Sequence, residues 1–186
     1  MFNLQNDNDM CVIIYVPKGV ELPKMDELRA AYVRNHDGCG FVSESDHYKS
    51  LHFTSFMRKL SKRDINESVI IHFRLATHGS IKVNNCHPFY KGGYWFAHNG
   101  VLPIVSENDK TDSQICFERY IYPVIKRYGY GSKEHIEVMD KWTAHGSKFA
   151  MMHNGEVLTS GNFIKHNGCY YSNLYHFGYS KNAVNF

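Results

Sequence analysis

The residues with the greatest capacity for chemistry lie between Ile70 and Leu102, IIHFRLATHGSIKVNNCHPFYKGGYWFAHNGVL, where strand-like apolar segments alternate with polar clusters. A strand ending there delivers Arg74, Thr77 and His78 at its tip. A guanidinium held at a strand end can grip a carboxylate through two parallel hydrogen bonds, although a structural ion pair would use it equally well. His98-Asn99-Gly100 can aim a side-chain amide and a backbone N–H at one developing oxyanion, and glycine permits the close approach. The same tripeptide recurs at His153 to Gly155, where it reads as an ordinary turn, so the motif alone does not decide. Asp112 sits in Thr111-Asp112-Ser113-Gln114, which has the spacing of a helix capping box. Beside Arg74 it would do more, because one acid plus one arginine complements the ammonium and carboxylate of an α-amino acid. This cradle lacks a nucleophile, and Cys11 is the candidate.

A lone thiol at the start of an apolar strand is ordinarily a core residue. Its position after Met10 opens another role. If translation starts at Met10 and the methionine is removed, or if residues 1–10 are cleaved as a leader, Cys11 carries a free α-amine. An amine with a pKa of about 7.7–8.0 can take the proton of a thiol near 8.5 and later return it to a leaving amine. Nucleophile and base then share one residue, and no separate cysteine–histidine pair is required.

The totals narrow the alternatives. A chain of 186 residues that is 43% hydrophobic and 15% aromatic has the makings of one globular domain, here residues 11–186, with a full core. A net charge of +3 with only 21% charged residues does not call for nucleic acid. The one dense basic run, Arg58 to Arg63, reads as a solvated helix end. Five widely spaced cysteines without a C-x-x-C pair point to neither a disulfide framework nor a zinc ribbon, and a reducing, cytoplasmic setting is the default. No H-E-x-x-H, G-x-x-x-x-G-K-[ST] or G-x-G-x-x-G is present. The polar N-terminus is not a signal peptide, and the apolar run Cys11 to Val16 is far shorter than a membrane span.

Elements to position these groups can be placed from the pattern. Met10 to Val16 is a buried strand; Pro23 opens a helix to about Asn35, with Met25, Leu28 and Tyr32 on one face. Thr54 caps a helix from Ser55 to about Lys62 that turns Phe56, Met57 and Leu60 inward. Glu67 to Leu75 is a strand. From Thr111 a long helix carries Phe117, Tyr120, Ile121, Val124, Ile125 and Tyr128 as a core stripe, kinked or divided by Pro123. Lys133 to Thr143 is another helix, presenting Ile136, Met139 and Trp142. Asn154-Gly155 and Asn167-Gly168 close two hairpins. Strands at both ends and helices between them give an α+β fold with mainly antiparallel sheets.

Six pieces in order, Cys11-Val12-Ile13-Ile14, His36-Asp37-Gly38-Cys39-Gly40, His72 to Gly79, His87-Pro88-Phe89, Phe96 to Gly100 and Thr111 to Gln114, resemble the class II glutamine amidotransferase domain of the N-terminal-nucleophile hydrolases, particularly its small stand-alone members. The resemblance implies a four-layer αββα sandwich of two mainly antiparallel sheets. It implies that Cys11 attacks the side-chain amide of glutamine, Asn99 and Gly100 form the oxyanion hole, Arg74 binds the α-carboxylate and Asp112 the α-amine. Leu75, Thr77 and His78 match residues of the same pocket, Leu75 standing where the family often has an aromatic and Cys39 where stand-alone members often have tryptophan. The implied products are glutamate and ammonia through a γ-glutamyl thioester, with no metal or organic cofactor in that half-reaction. Ammonia would pass to a separate synthase partner. A γ-glutamyl amide hydrolase working alone, or a catalytically silent homologue serving as a binding subunit, are the alternatives.

Overall fold

The computed structural model describes residues 11–76, 80–107 and 110–177. At its centre β1, Val12–Val16, lies between β4, Val69–Phe73, and β10, Cys169–Tyr171, in a six-stranded antiparallel sheet. The sheet is completed by β2 (Cys39–Val42) and β3 (His47–Ser50) beyond β4, and by β9 (Ile164–His166) beyond β10. A second antiparallel sheet has the order β5 (Phe89–Lys91), β6 (Tyr94–Asn99), β7 (Lys148–His153), β8 (Glu156–Ser160). Because strand side chains alternate between faces, each inner strand feeds two layers of core. Val12, Ile14, Val69, Ile71 and Phe73 pack outward, whereas Ile13, Val42 and Ile70 meet Ala97, Ala150 and Met152 of the other sheet. Phe96, Phe149 and Met151 point the opposite way, into a third core.

Helices cover both outer faces. Helix α1, Met25–Arg34, and α2, Phe53–Leu60, bury Leu28, Ala31, Phe53, Phe56, Met57 and Leu60 against the first sheet. Against the second lie α3 (Asp112–Cys116), a π-helical turn (Phe117–Ile121), α4 (Tyr122–Tyr128) and α5 (Lys133–Thr143). The layers therefore run helix, sheet, sheet, helix, the αββα arrangement that the family resemblance implies.

Differences from the sequence reading are local. Strands β1 and β4 are shorter than expected by one or two residues at their ends, and α1 ends before Asn35. Helix α2 begins earlier than Thr54, with His52 as the flanking residue, because Phe53 joins the buried stripe. The expected division at Pro123 takes the form of the π-helical turn, with the proline in the first turn of α4, where a missing N–H costs nothing. That turn resets the periodicity: Phe117, Ile121 and Ile125 are buried, but Tyr120 and Tyr128 are about half exposed. In α5 the buried line is His135, Met139 and Thr143, leaving Ile136 outside. Met25 is likewise exposed. Both Asn-Gly turns are as expected, with φ of 48° at Asn154 and Asn167 and 77° and 81° at the following glycines, the two successive positive values of a primed turn.

Candidate functional site

The register of β1 against β4 sets the first part of the site. Val12 pairs with Phe73, which sets Cys11 opposite Arg74 one step beyond the ladder and brings the Cys11 side chain to the main chain of Leu75. The Leu75 N–H donates to Cys11 Sγ at 3.2 Å, and the thiol donates to the Leu75 carbonyl at 3.3 Å. Burial pushes the Cys11 thiol up to about 11, an effect the Leu75 contact and the nearby Arg74 charge only partly oppose. Among the described residues its hydrogen-bond partners are main-chain groups. The segment after β4 is held by Asp37, whose carboxylate accepts from the Ala76 N–H at 2.8 Å and whose own N–H donates to the Arg74 carbonyl at 3.0 Å. The Arg74 N–H donates to Gly38 O at 2.8 Å, and its guanidinium donates to Ser80 O at 3.3 Å. Arg74 is only 4% exposed.

The second part comes from the other sheet. Along β6, alternation turns Ala97 and Asn99 toward the first sheet and Phe96 and His98 toward the helices. Asn99 is fully buried, and its amide meets Ser172 Oγ at 2.8 Å. Gly100 follows with φ 138°; a Cβ there would stand 2.5 Å from Ser147 Oγ and 2.9 Å from Ser147 Cα. Only glycine lets the main chain pass this close. His98 is clamped between Ser113 Oγ at 2.8 Å and Ser147 Oγ at 3.2 Å, and burial holds its pKa down to about 4. It is a neutral, structural imidazole at physiological pH.

The third part is the start of α3. Thr111 and Gln114 form the reciprocal capping box foreseen from the spacing, with bonds of 3.3 and 2.8 Å. Asp112 beside them does two jobs. Its Oδ1 accepts from the Ser113 N–H at 2.7 Å, and its Oδ2 accepts from the Leu102 N–H at 3.0 Å, tying the chain that leaves Gly100 to the helix.

These parts wall one small cleft. Cys11, Arg74, Leu75, Gly100 and Asp112 all line it, together with Ala76, His87, His98 and Ser113. Four remote chain segments thus bring the expected nucleophile, both ends of the expected amino-acid clamp and one expected oxyanion donor to one place. Asn99 lies behind this wall, in the inter-sheet layer. Thr77 and His78 lie outside the described residues. Among the described residues no three His, Cys, Asp or Glu side chains converge on a point where a metal ion could sit. No described helix is long and apolar enough to cross a membrane. Sequence reasoning missed Ser113, Ser147 and Ser172; a lone serine carries no pattern, and only the fold shows what each one holds.

A larger groove, of about 830 Å³, lies elsewhere, between the β2–β3 turn and Tyr90 and Trp95. It contains none of the groups just described and is therefore the wrong place to seek this chemistry, whatever its size.

The model of the family "Glutamine amidotransferases class-II" matches residues 30–161. The glutamine–fructose-6-phosphate aminotransferase (isomerizing) of Methanococcus maripaludis is 34% identical over 82 residues, covering 40% of this chain and 14% of that protein. Among solved structures, glutamine phosphoribosylpyrophosphate amidotransferase from B. subtilis, complexed with ADP and GMP, superimposes with a TM-score of 0.57 at 17% identity. That match covers 90% of this chain and 43% of the other. The chain thus spans less than half the length of either, and at such identity the structural likeness speaks for the fold alone. The family match spans most of the chain and includes the segments that supply Arg74, Gly100 and Asp112: the chain belongs to the class II glutamine amidotransferases.

Proposed function

We propose that this protein releases ammonia from the side-chain amide of glutamine, with Cys11 as nucleophile. The observation that carries the reading is the convergence of Cys11, Arg74, Gly100 and Asp112 on one cleft. Arg74 binds the α-carboxylate and Asp112 the α-ammonium, which places the amide at the far end of the side chain toward Cys11. Thr77 and His78 are assigned to the same pocket on the family pattern. The Cys11 sulfur adds to the amide carbon while its proton passes to the α-amine of the same residue. The carbonyl oxygen becomes an oxyanion facing the Gly100 N–H, with the Asn99 amide assigned as second donor on the family pattern. Collapse breaks the C–N bond, the α-amine returns the proton to the leaving nitrogen, and ammonia departs. Water then cleaves the γ-glutamyl thioester to glutamate and regenerates the thiol.

The α-amine is assigned as base because burial holds the thiol protonated and its hydrogen-bond partners among the described residues are main-chain groups. Residues 1–10 are accordingly read as a leader that is removed, or as lying upstream of a start at Met10, and residues 11–186 as the working domain. A chain that keeps them lacks that base and turns over about a thousandfold more slowly near neutral pH. The ammonia goes to a separate acceptor-bearing synthase partner, a role assigned on the family pattern. The five cysteines are all unpaired, which supports a reducing compartment such as the cytoplasm.

The test is direct. The protein with Cys11 at its N-terminus releases ammonia from glutamine and gains the mass of one electrophilic glutamine analogue at Cys11. Cys11→Ala does neither. Ammonia release by Cys11→Ala at the wild-type rate refutes the assignment, and inertness of the processed wild type toward both reagents leaves the binding-subunit reading instead.

A further inference from the structure

Strand β10 pairs with β1 only as far as its last residues, with Ile14 opposite Tyr171. One step beyond, the Ser172 N–H still donates to the Ile13 carbonyl at 2.9 Å, as an antiparallel ladder requires. The reciprocal bond is missing its usual partner: the Ile13 N–H donates to the Ser172 hydroxyl oxygen, at 2.8 Å, where a ladder would offer a carbonyl. One residue further, the Asn173 side-chain amide donates to the Cys11 carbonyl at 2.8 Å, again standing in for main chain. Two side chains thus carry the β1 ladder on to Cys11 after the partner strand has turned away. Both are almost fully buried.

The Ser172 hydroxyl also reaches across to the second sheet and meets the Asn99 amide at 2.8 Å. The two ends of that amide are told apart only by their partners. With nitrogen toward Ser172, the hydroxyl oxygen accepts twice, and among the described residues its proton has no acceptor and the buried amide oxygen has no partner. With the oxygen toward Ser172, the hydroxyl donates to it and still accepts from Ile13. The NH₂ then takes the unpartnered position, as a donor with nothing yet to bond. A buried donor without a partner is costly, and a site that must meet an oxyanion is where such a group has a use.

We propose that Ser172 and Asn173 are a positioning pair that fixes Asn99 and Cys11 relative to each other, Ser172 holding the oxygen of the Asn99 amide so that its NH₂ is kept for the oxyanion. This deepens the function proposed above and rests on it for the identity of the oxyanion. Neither residue touches substrate. Their action is to span the two sheets, one of which carries the nucleophile and the other the oxyanion donors.

The test compares Ser172→Ala, Ser172→Thr and Asn173→Ala in the protein with a Cys11 N-terminus. Losing the hydroxyl frees the amide to rotate, so kcat for glutamine hydrolysis falls about 10- to 100-fold in Ser172→Ala, while KM stays within about threefold because Arg74 and Asp112 are untouched. Ser172→Thr keeps the hydroxyl and recovers most of kcat. Asn173→Ala lowers kcat and slows alkylation of Cys11 by a glutamine-like electrophile, and it carries the test if Ser172→Ala does not fold. Wild-type kcat in Ser172→Ala, or a loss that Thr does not repair in a folded protein, overturns the proposal. Inactive wild type refutes the function instead, and the pair is then judged by the side-chain amide signals of Asn99 in NMR. These shift and exchange faster with solvent in Ser172→Ala; signals that do not change overturn the pair as well.

Discussion

Leaving residues 1–10 in place is the perturbation that separates a thiol activated by its surroundings from one activated by its own α-amine. In the folded protein the Cys11 thiol is pushed up to about 11. At pH 7.5 a thiol with that pKa is ionised in roughly three molecules in ten thousand, whereas an α-amine of about 7.7–8.0 is deprotonated in roughly one of three. The ratio is about 10³, or about 4 kcal/mol of activation free energy, and it lies inside the 10²- to 10⁴-fold range usual for a positioned general base. Freeing the amine should therefore raise the rate of ammonia release by that order.

The assay is initial-rate ammonia release from saturating glutamine between pH 6 and 9.5, for the unprocessed chain and for the chain starting at Cys11. The processed protein is expected to rise through an apparent pKa near 8 and level off. The unprocessed protein should lack that inflection and climb about tenfold per pH unit toward 11, since each unit below the thiol pKa removes nine-tenths of the thiolate. If the unprocessed chain matches the processed one within about threefold and shows the same inflection near 8, another group is the base and the argument from the α-amine is wrong.

Three further outcomes follow from the site and the core. Arg74→Lys should raise KM for glutamine about 10- to 100-fold with a smaller change in kcat, because a point charge does not reproduce a bidentate fork; an unchanged KM returns Arg74 to a structural role. Gly100→Ala places a methyl against Ser147 and forces φ 138° on a residue with a Cβ, so steady-state kinetics and thermal melting should show kcat falling at least tenfold and stability falling by about 1–3 kcal/mol, while wild-type values for both would show that the loop simply moves aside. Acid should destabilise the fold: burial lowers His72 to about 3 and His98 to about 4, so the unfolded chain takes up these protons near pH 6.5 and the folded chain does not. Stability is then constant above that pH and falls below it by up to about 1.4 kcal/mol per unit for each histidine, read as a declining urea midpoint from pH 6.5 to 4.5; a flat midpoint contradicts it.

Much of the site could be read from sequence because its groups sit at the ends of short elements with strong local signals. The capping box at Thr111 is a local rule, and by itself it puts Asp112 at a helix start. The tripeptide His-Asn-Gly shows where local rules stop. At 153–155 it turns a hairpin, with Asn154 at positive φ, whereas at 98–100 it ends a strand and Asn99 has no such conformation. What differs is the sequel: Glu156 to Ser160 returns along the sheet, but Val101-Leu102-Pro103 leaves it and is caught by Asp112. The helix stripe misled for a related reason. A single π-helical turn before Pro123 shifts the face by one residue, and only packing against Phe96 and Met139 decides which residues stay inside. Ser172 and Asn173 could not be read at all, since their importance depends on where β10 parts from β1.

The division of the site between two sheets makes its geometry a property of the layer between them. Cys11 extends β1 of one sheet and Gly100 extends β6 of the other, so their separation is the thickness of that layer. Ile13, Val42 and Ile70 stand against Ala97 and Ala150, and the two alanines leave room for the branched side chains opposite. Two polar links cross the same layer near the cleft, His72 Nε2 to the His98 carbonyl at 3.1 Å and Asn99 to Ser172 at 2.8 Å. Packing sets how far apart the sheets lie, but it has no direction and leaves them free to slide. The hydrogen bonds are directional and fix the register that packing leaves open. Because burial holds His72 neutral, the first link needs no counter-charge in that layer. Loss of stability below pH 6.5 thus arises in the unfolded chain, which takes up the protons that His72 and His98 refuse in the fold, so the links between the two sheets stay neutral and intact until the pH nears those low folded-state values.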